Sequence, residues 1–466
     1  MSESTATIPT ETRPPALTTL LRRYDVPVPR YTSYPPIPYW HAVGGAEAAQ
    51  WLETAAPASL SLYTHVPFCE RRCTYCGCFV VITPHHEPVA SYLDLLLREM
   101  SLARERLRTP GPVVQYHLGG GTPTRLNRAE MSRLVAHARA LYPFASDAEL
   151  SIEVDPRTVD AGYLAHLREL GFNRLSFGVQ DVNPEVQAAV NRIQPRDMVA
   201  DLMDAARKLG FRGINFDLIY GLPHQTPETF AETVRQVLAL RPDRLALYNF
   251  AYLPQAFAHQ RRIDEAALPG ADAKLRIMLE AHAQFAHAGY VPLGMDHFAL
   301  ADDDLAVAAK AGSMRRNFMG YTTQAGTDVL AFGISGISAL GGHYWQNEKK
   351  LAAYRRTVEA GSLPVIRGMT MSEDDLLREA IVSAIFCRQG LSLSDLAPRF
   401  GADLARRLAP ELAALAPLEQ DGLLVCNPDG FRVTEIGRYF LRNIAVVFDA
   451  YAGQAAGRQV TFSRSV

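Results

Sequence analysis

Between residue 60 and about residue 295, short β-rich apolar runs alternate with longer segments whose apolar positions recur at helical spacing. SLSLYTHV, VVQYHL and ELSIEV are followed by helical patterns at 89–108, 128–142 and 160–170; RLSFGV, GINFDLIYG and RLALYNF are followed by patterns at 184–190, 228–240 and 271–288. Six strand–helix units in succession predict an α/β fold with a parallel sheet, because strands buried on both faces need helices to cover them. The unit count favours a (β/α) barrel, complete or incomplete, over an open doubly wound sheet. In a barrel, function sits where strands end and the following loops begin.

The flanks differ in texture. Residues 1–16 are polar and Thr/Pro-rich and are expected to be disordered. Residues 17–50 form an N-terminal arm, with a helix at 17–24 and the Pro-punctuated stretch PVPRYTSYPPIPYW; its aromatic character at 25–40 suits a segment that closes over a substrate. Residues 51–365 are assigned to the barrel and its extension, and 366–466 to a smaller, mostly helical C-terminal domain. The latter shows helical patterns at 372–387, 393–400 and 403–414, then GLLVCNPDGFRVT, a hairpin with a Pro-Asp-Gly turn, an order that resembles a winged helix.

Composition narrows the function. The 466 residues are 48% hydrophobic and 21% charged, enough for a full-sized core. Lys plus Arg (47) nearly balance Asp plus Glu (49), so no global field draws the chain to nucleic acid or anionic membrane. The winged segment, with twelve acidic against eight basic residues over 370–450, has the wrong sign for phosphate contact, so a lid or packing role is expected of it. The apolar-looking stretch 245–258 is broken by Asn249, Pro254 and Gln255, so no membrane span is expected, and no secretory signal is apparent. A cytoplasmic, monomeric protein is expected. Six cysteines are too few for a disulfide framework; four lie within ten positions, which points to a metal centre in a reducing compartment.

Those four read Cys69-Glu-Arg-Arg-Cys73-Thr-Tyr-Cys76-Gly-Cys78, directly after the first strand. Zinc sites normally assemble from two separated pairs, whereas three thiolates in one loop can wrap a single [4Fe-4S] cluster. The spacing neither compels nor forbids Cys78 as a fourth ligand. Three ligands would leave one iron open to substrate; four would make a closed electron carrier. Cys387 and Cys426 sit in apolar surroundings and are expected in the core. After VVQYHL, the run Gly119-Gly120-Gly121-Thr122-Pro123-Thr124 lets the backbone approach a ligand closely, but it lacks the spacing and lysine of a phosphate loop. Glu153 and Asp217 are carboxylates near the ends of apolar strands and need donors there. Gln180 and Arg192 follow the fourth strand.

These motifs, with the PRYTSYP arm, the Cys-Gly-Cys ending, SIEVDPR, NRLSFGVQD, DLIYGLPHQTPE, GMDHFA and GYTTQ, resemble the radical S-adenosylmethionine superfamily. Within it they are most similar to the oxygen-independent coproporphyrinogen III oxidase (dehydrogenase) family, from about residue 17 to the C-terminus. The resemblance implies an incomplete (β/α)6 barrel in which Cys69, Cys73 and Cys76 ligate a [4Fe-4S] cluster and Cys78 does not. It also implies two bound S-adenosylmethionine molecules. Tyr63, Gly120, Glu153 and Ile337 match positions around the first; Tyr75, Gly121, Thr122, Gln180, Arg192, Asp217 and Ala251 match those around the second. Position 75 is usually aromatic there, often Phe, so its tyrosine is a departure. Tyr63, Glu153 and Arg192 are the candidate catalytic residues.

The implied reaction is oxidative decarboxylation of two propionates of coproporphyrinogen III to vinyls, yielding protoporphyrinogen IX in haem biosynthesis. A 5'-deoxyadenosyl radical would take hydrogen from the propionate β-carbon. A low-potential donor such as a flavodoxin or ferredoxin is required by the electron demand. The substrate's four carboxylates call for local cations, for which Arg22, Arg23, Arg30, Arg315 and Arg316 are candidates. Rival readings are a related haem chaperone or haem methyltransferase, whose members commonly lack the Cys-Gly-Cys ending and the arm, and a four-cysteine electron carrier.

Overall fold

The structure, a computed structural model, describes residues 17–452 together with Phe462 and Arg464; the segment expected to be disordered, 1–16, lies outside them. Two compact units are present. One contains residues 32–376 and the other residues 17–31 with 377 onward.

The larger unit is built on seven parallel strands: β1 (Leu60–Val66), β2 (Val113–Gly120), β3 (Phe144–Val154), β4 (Arg174–Gln180), β5 (Gly213–Tyr220), β6 (Arg244–Asn249) and β7 (Asp328–Phe332). Their order is β7-β1-β2-β3-β4-β5-β6. Every residue of β1 is buried, as parallel strands covered by helices require. The order does not close on itself, because β6 and β7 each pair onward with antiparallel strands, so the barrel is incomplete.

The first six strands fall on the six apolar runs, and their helices on the expected segments, because capping fixes where the helices start. Asn127 and Glu130 form a reciprocal capping box before Arg128–Leu141, and Thr226 with Thr229 does the same before Pro227–Leu240. The helix Arg196–Lys208, between β4 and β5, was not among the expected elements; Pro195 before it offers no side-chain cap. At the N-terminal end of the barrel is an ion-pair network in which Arg174 meets Glu149 at 2.7 Å and the exposed Asp304 at 2.6 Å, while Arg244 meets buried Asp303 at 2.8 Å. No helix among the described residues is long and apolar enough to cross a membrane.

Two boundaries differ from expectation. The strand Val365–Thr370 belongs to the large sheet, pairing with His343–Asn347 and His41–Ala42, so this unit continues past residue 366. The segment 17–50 is not one arm. Residues 17–31 fold with the C-terminal helices, where Arg23 pairs with Asp421 at 2.6 Å, Tyr24 donates to the same carboxylate and the Tyr31 hydroxyl donates to Asp449. Tyr31, Tyr34 and Trp40, the aromatics proposed to cover substrate, are buried in packing. In the smaller unit the expected helix at 403–414 is two, Leu404–Arg407 and Ala409–Ala413, because Pro410 cannot donate a helical hydrogen bond and starts a new turn. The hairpin Leu424–Asn427/Gly430–Val433 and the strand Gly390–Ser392 form a three-stranded sheet beside Leu393–Phe400.

Candidate active site

The cysteine loop leaves β1 and is zipped at its base by a two-residue parallel bridge, Phe68–Cys69 with Val81–Ile82. Its crown is clamped from elsewhere in the fold. Asn191 Nδ2 donates to Arg72 O at 2.9 Å, and the Thr74 N–H donates to Val190 O at 3.1 Å. His259 Nε2 donates to Cys76 O at 2.7 Å, and Gln260 Nε2 reaches both Tyr75 O and Ala251 O. Tyr75 packs on the apolar cluster of Val186, Val190, Leu222, Phe250 and Ile263. A loop this heavily tied presents its thiols on a fixed frame.

Cys69 Sγ lies 3.3 Å from Thr122 Oγ1, and Cys73 Sγ lies 3.7 Å from Arg192 Nη1 and 3.9 Å from Arg157 Nη2. Among the described residues no three His, Cys, Asp or Glu side chains converge on one metal ion. Ligands of a cubane each hold a separate iron and stand apart, so a site of that kind does not call for three side chains converging on one ion. Glycine is required beside the thiols: a Cβ on Gly121 would stand 2.5 Å from Pro67 O and 3.1 Å from Cys69 Sγ. Gly120 has φ +127° and would clash with Val66 O.

The Gly120 N–H donates to Glu153 Oε2 at 3.0 Å. Tyr63 lies beside them, since a Cβ on Gly119 would stand 3.0 Å from both Glu153 Oε1 and the Tyr63 ring. The Tyr63 hydroxyl is 3.0 Å from His65 Nδ1, and His65 Nε2 is 3.0 Å from Phe79 O. A carbonyl only accepts, so Nε2 carries the proton and Nδ1 accepts the Tyr63 O–H. Burial holds His65 below its ordinary pKa, consistent with that neutral ring.

Arg192 is a second hub, beside the end of the strand that carries Glu153. Besides Cys73, its guanidinium meets Asp155 Oδ2 at 3.2 Å and donates to Gly178 O at 2.7 Å. Burial alone would raise Asp155, but Arg157 and Arg192 outweigh it and hold that carboxyl below its usual range. Gly178 is flanked by two other site candidates, since a Cβ there would stand 2.8 Å from Gln180 Nε2 and 2.9 Å from Arg192 Nη2. The β4–β5 register shifts between Gly178 and Gln180, which leaves Gln180 at φ +67°. Such strain in a non-glycine residue persists where the surroundings over-determine it, a habit of ligand sites.

Asp217 accepts from Asn215 Nδ2 and Ser176 Oγ, and burial, then the nearby Glu153 charge, push its pKa up to about 6. A raised acid favours the protonated form in the folded state. Its contribution to stability is therefore fully present below the ordinary range near about 4 and is lost as pH rises through about 6. Asp217→Asn is expected to flatten the pH dependence of unfolding across that window and to raise Tm above it; a steeper dependence in the variant would contradict the assignment.

Ile337 starts the strand after a turn fixed by buried Glu99, which accepts from Gly333 N and Asn347 Nδ2, and by Tyr92, whose hydroxyl donates to His65 O and accepts from Ile334 N. Among the described residues Arg192 Nε and Asn249 Oδ1 are buried without a hydrogen-bond partner, unspent polar atoms of the kind a ligand satisfies.

The structure thus groups Tyr63, Gly120 and Glu153; Cys69, Gly121 and Thr122; and Cys73, Arg192 and Gln180, with Tyr75 and Ala251 bridged by Gln260. The candidate substrate arginines fare differently. Arg22, Arg23 and Arg30 belong to the smaller unit, Arg315 donates to the Gly312 and Met314 carbonyls, and Arg316 lies over the Tyr321 ring. Asp155, Arg157, His65, His259 and Gln260 were missed. The first two stand inside SIEVDPR, where the residues following Glu153 were the available signal; the last two carry none.

Residues 63–237 match the radical SAM superfamily, and residues 371–440 match the HemN C-terminal domain. The chain is 44% identical over 448 residues to the oxygen-independent coproporphyrinogen III oxidase of Salmonella typhimurium, covering 96% of this chain and 98% of that protein. The chain belongs to the oxygen-independent coproporphyrinogen III oxidase family. The relative from Synechocystis is 43% identical over 96% of this chain and 97% of its own. The solved structure of Escherichia coli coproporphyrinogen III oxidase, titled a radical SAM enzyme, superposes with a TM-score of 0.88 at 44% identity, covering 91% of this chain and 97% of that one. The cysteine loop and the glycine run both fall inside the residues matched by the superfamily, and the C-terminal helices inside those matched by the HemN C-terminal domain.

Proposed function

We propose that this chain converts coproporphyrinogen III to protoporphyrinogen IX without oxygen, by oxidative decarboxylation of two propionates to vinyls. Cys69, Cys73 and Cys76 would hold a [4Fe-4S] cluster with one iron left for S-adenosylmethionine, Cys78 standing outside the ligand set. The observation that carries the reading is the placement of Cys73 against Arg192 and Arg157 at the strand ends of a family barrel. A cysteine bound to a cluster is a thiolate, and two fixed cations face that sulfur.

Bound there, the cluster and S-adenosylmethionine would supply the one-electron cleavage that yields methionine and a 5'-deoxyadenosyl radical. The chain's own part is positioning. The Gly119–Gly121 backbone, free of Cβ atoms, admits a ligand against Glu153 and Tyr63. Glu153 accepts hydrogen bonds there, and the neutral His65 fixes the Tyr63 hydroxyl. Arg192 offers its unspent Nε–H, while Asp217 and Gln180 stand ready for ribose or amino groups. Tyr63, Gly120, Glu153 and Ile337 are assigned to the first S-adenosylmethionine, and Tyr75, Gly121, Thr122, Gln180, Arg192, Asp217 and Ala251 to the second. The protein works as a cytoplasmic monomer fed by a low-potential donor such as a flavodoxin or ferredoxin.

Anaerobic turnover of the reconstituted protein tests this reading. Two methionines released for each protoporphyrinogen are expected; failure to decarboxylate coproporphyrinogen III would remove the assignment.

A further inference from the structure

The proposed reaction draws electrons from outside the chain, so a carrier must come close to the cysteine loop without entering the barrel. Beside the loop is a cleft of about 790 Å³, lined among others by Glu70, Arg71, Arg72, Cys78, Phe257 and Arg262. None of Cys69, Cys73 and Cys76 lines it. Cys69 and Cys73 turn instead toward Thr122 and toward Arg157 and Arg192. The cleft meets the loop at Cys78, two residues from Cys76.

Its charge departs from that of the chain. Overall the protein carries −2, yet the lining holds three arginines and one acid. That acid, Glu70, is itself within 4.0 Å of Arg71 and 3.6 Å of Arg125. Exposed Arg261 adjoins Arg262, and Lys349 sits 4.9 Å from the Phe79 ring centroid. Large apolar side chains are open to solvent nearby: Ile82, in the lining, at 38% exposure, and Phe79, under Lys349, at 45%. Exposed apolar surface beside cations suits a transient, charge-steered protein contact. We propose that this cleft docks an acidic one-electron carrier protein. The inference rests on the cluster assignment above. In the step it serves, one electron leaves the carrier's reduced cofactor and enters the cluster, with no bond to carbon made or broken.

The test uses the full chain with its cluster reconstituted, an acidic flavodoxin as the carrier, and the double variant Arg71→Glu/Arg262→Glu. Two quantities are read: the affinity for oxidised flavodoxin by calorimetry, and the rate of cluster reduction by reduced flavodoxin or by dithionite. In the variant, flavodoxin affinity and the flavodoxin-driven rate are expected to fall at least about tenfold at low salt and to lose most of their salt dependence. The dithionite-driven rate should hold. An unchanged flavodoxin arm, an equal loss in both arms, or no reduction of the wild-type cluster by flavodoxin would overturn the proposal. A variant that keeps flavodoxin binding but loses affinity for coproporphyrinogen would assign the cleft to substrate carboxylates instead. Failure of turnover with dithionite, when reduction by flavodoxin is intact, would strike the proposed reaction and leave the docking surface standing.

Discussion

Cys73→Ser is expected to abolish cluster assembly and, with it, decarboxylation of coproporphyrinogen III. Cys73 is buried, and its sulfur is the one that faces both Arg157 and Arg192. Clusters of this kind take thiolate sulfur as ligand, and a serine hydroxyl gives iron a poor substitute. The fold should survive, since Asp155 keeps both arginine partners. Iron and sulfide analysis after anaerobic reconstitution checks this, with Cys387→Ser as the comparison. Cys387 is buried in the smaller unit, as expected of a core residue, while Cys426 is only half-buried. Full iron content in Cys73→Ser, or iron loss in Cys387→Ser, would contradict the ligand assignment.

Arg192→Ala should damage both binding and stability. The side chain joins Cys73, Asp155 and the Gly178 carbonyl, so its loss strips a buried carboxylate of one cation and the Cys73 sulfur of its nearer one. Removing one partner of a buried pair commonly costs about 3–5 kcal/mol. Arg157 still holds Asp155 at 2.6 Å, so a smaller loss of about 2–3 kcal/mol is expected in denaturant unfolding of the cluster-free protein. Loss of an outer partner to a metal ligand typically lowers affinity or activity about 10–100-fold, and the vacated Nε–H adds to that on the cofactor side. S-adenosylmethionine affinity and kcat should therefore fall together, with Arg192→Lys recovering stability more than affinity because a single ammonium cannot reproduce the fork of contacts. A variant with normal cofactor affinity would reduce Arg192 to a purely structural role.

The parts of this architecture that were legible in the chain are those written in local pattern. β1 is a continuously buried run because both its faces are covered, β3 to β5 alternate buried and half-buried positions, and the helix Leu17–Tyr24 falls on its expected residues. The antiparallel wing was hidden. Ile337–Leu340 and His343–Asn347 are four and five residues long, meet at Gly341-Gly342, and are partly polar, so neither length nor alternation marks them. The cysteine loop and glycine run were visible as motifs, but what orients them was not. His259 reaches Cys76 across 183 residues, and Gln260 links Tyr75 to Ala251 over a comparable span. Long-range clamps of this kind follow from packing, which no local window contains. The division of the arm was hidden for a related reason: the partners that fold residues 17–31 with the C-terminal helices, Asp421 and Asp449, lie some 400 residues away.

The central claim is an iron–sulfur centre whose three cysteine ligands leave one iron for S-adenosylmethionine. Electron paramagnetic resonance of the reduced, reconstituted protein, recorded with and without S-adenosylmethionine, addresses it most directly. The account predicts the signal of a reduced [4Fe-4S] cluster whose g-values shift when S-adenosylmethionine is added. A cluster signal indifferent to S-adenosylmethionine, or a protein that assembles zinc in place of iron and sulfide, would contradict it.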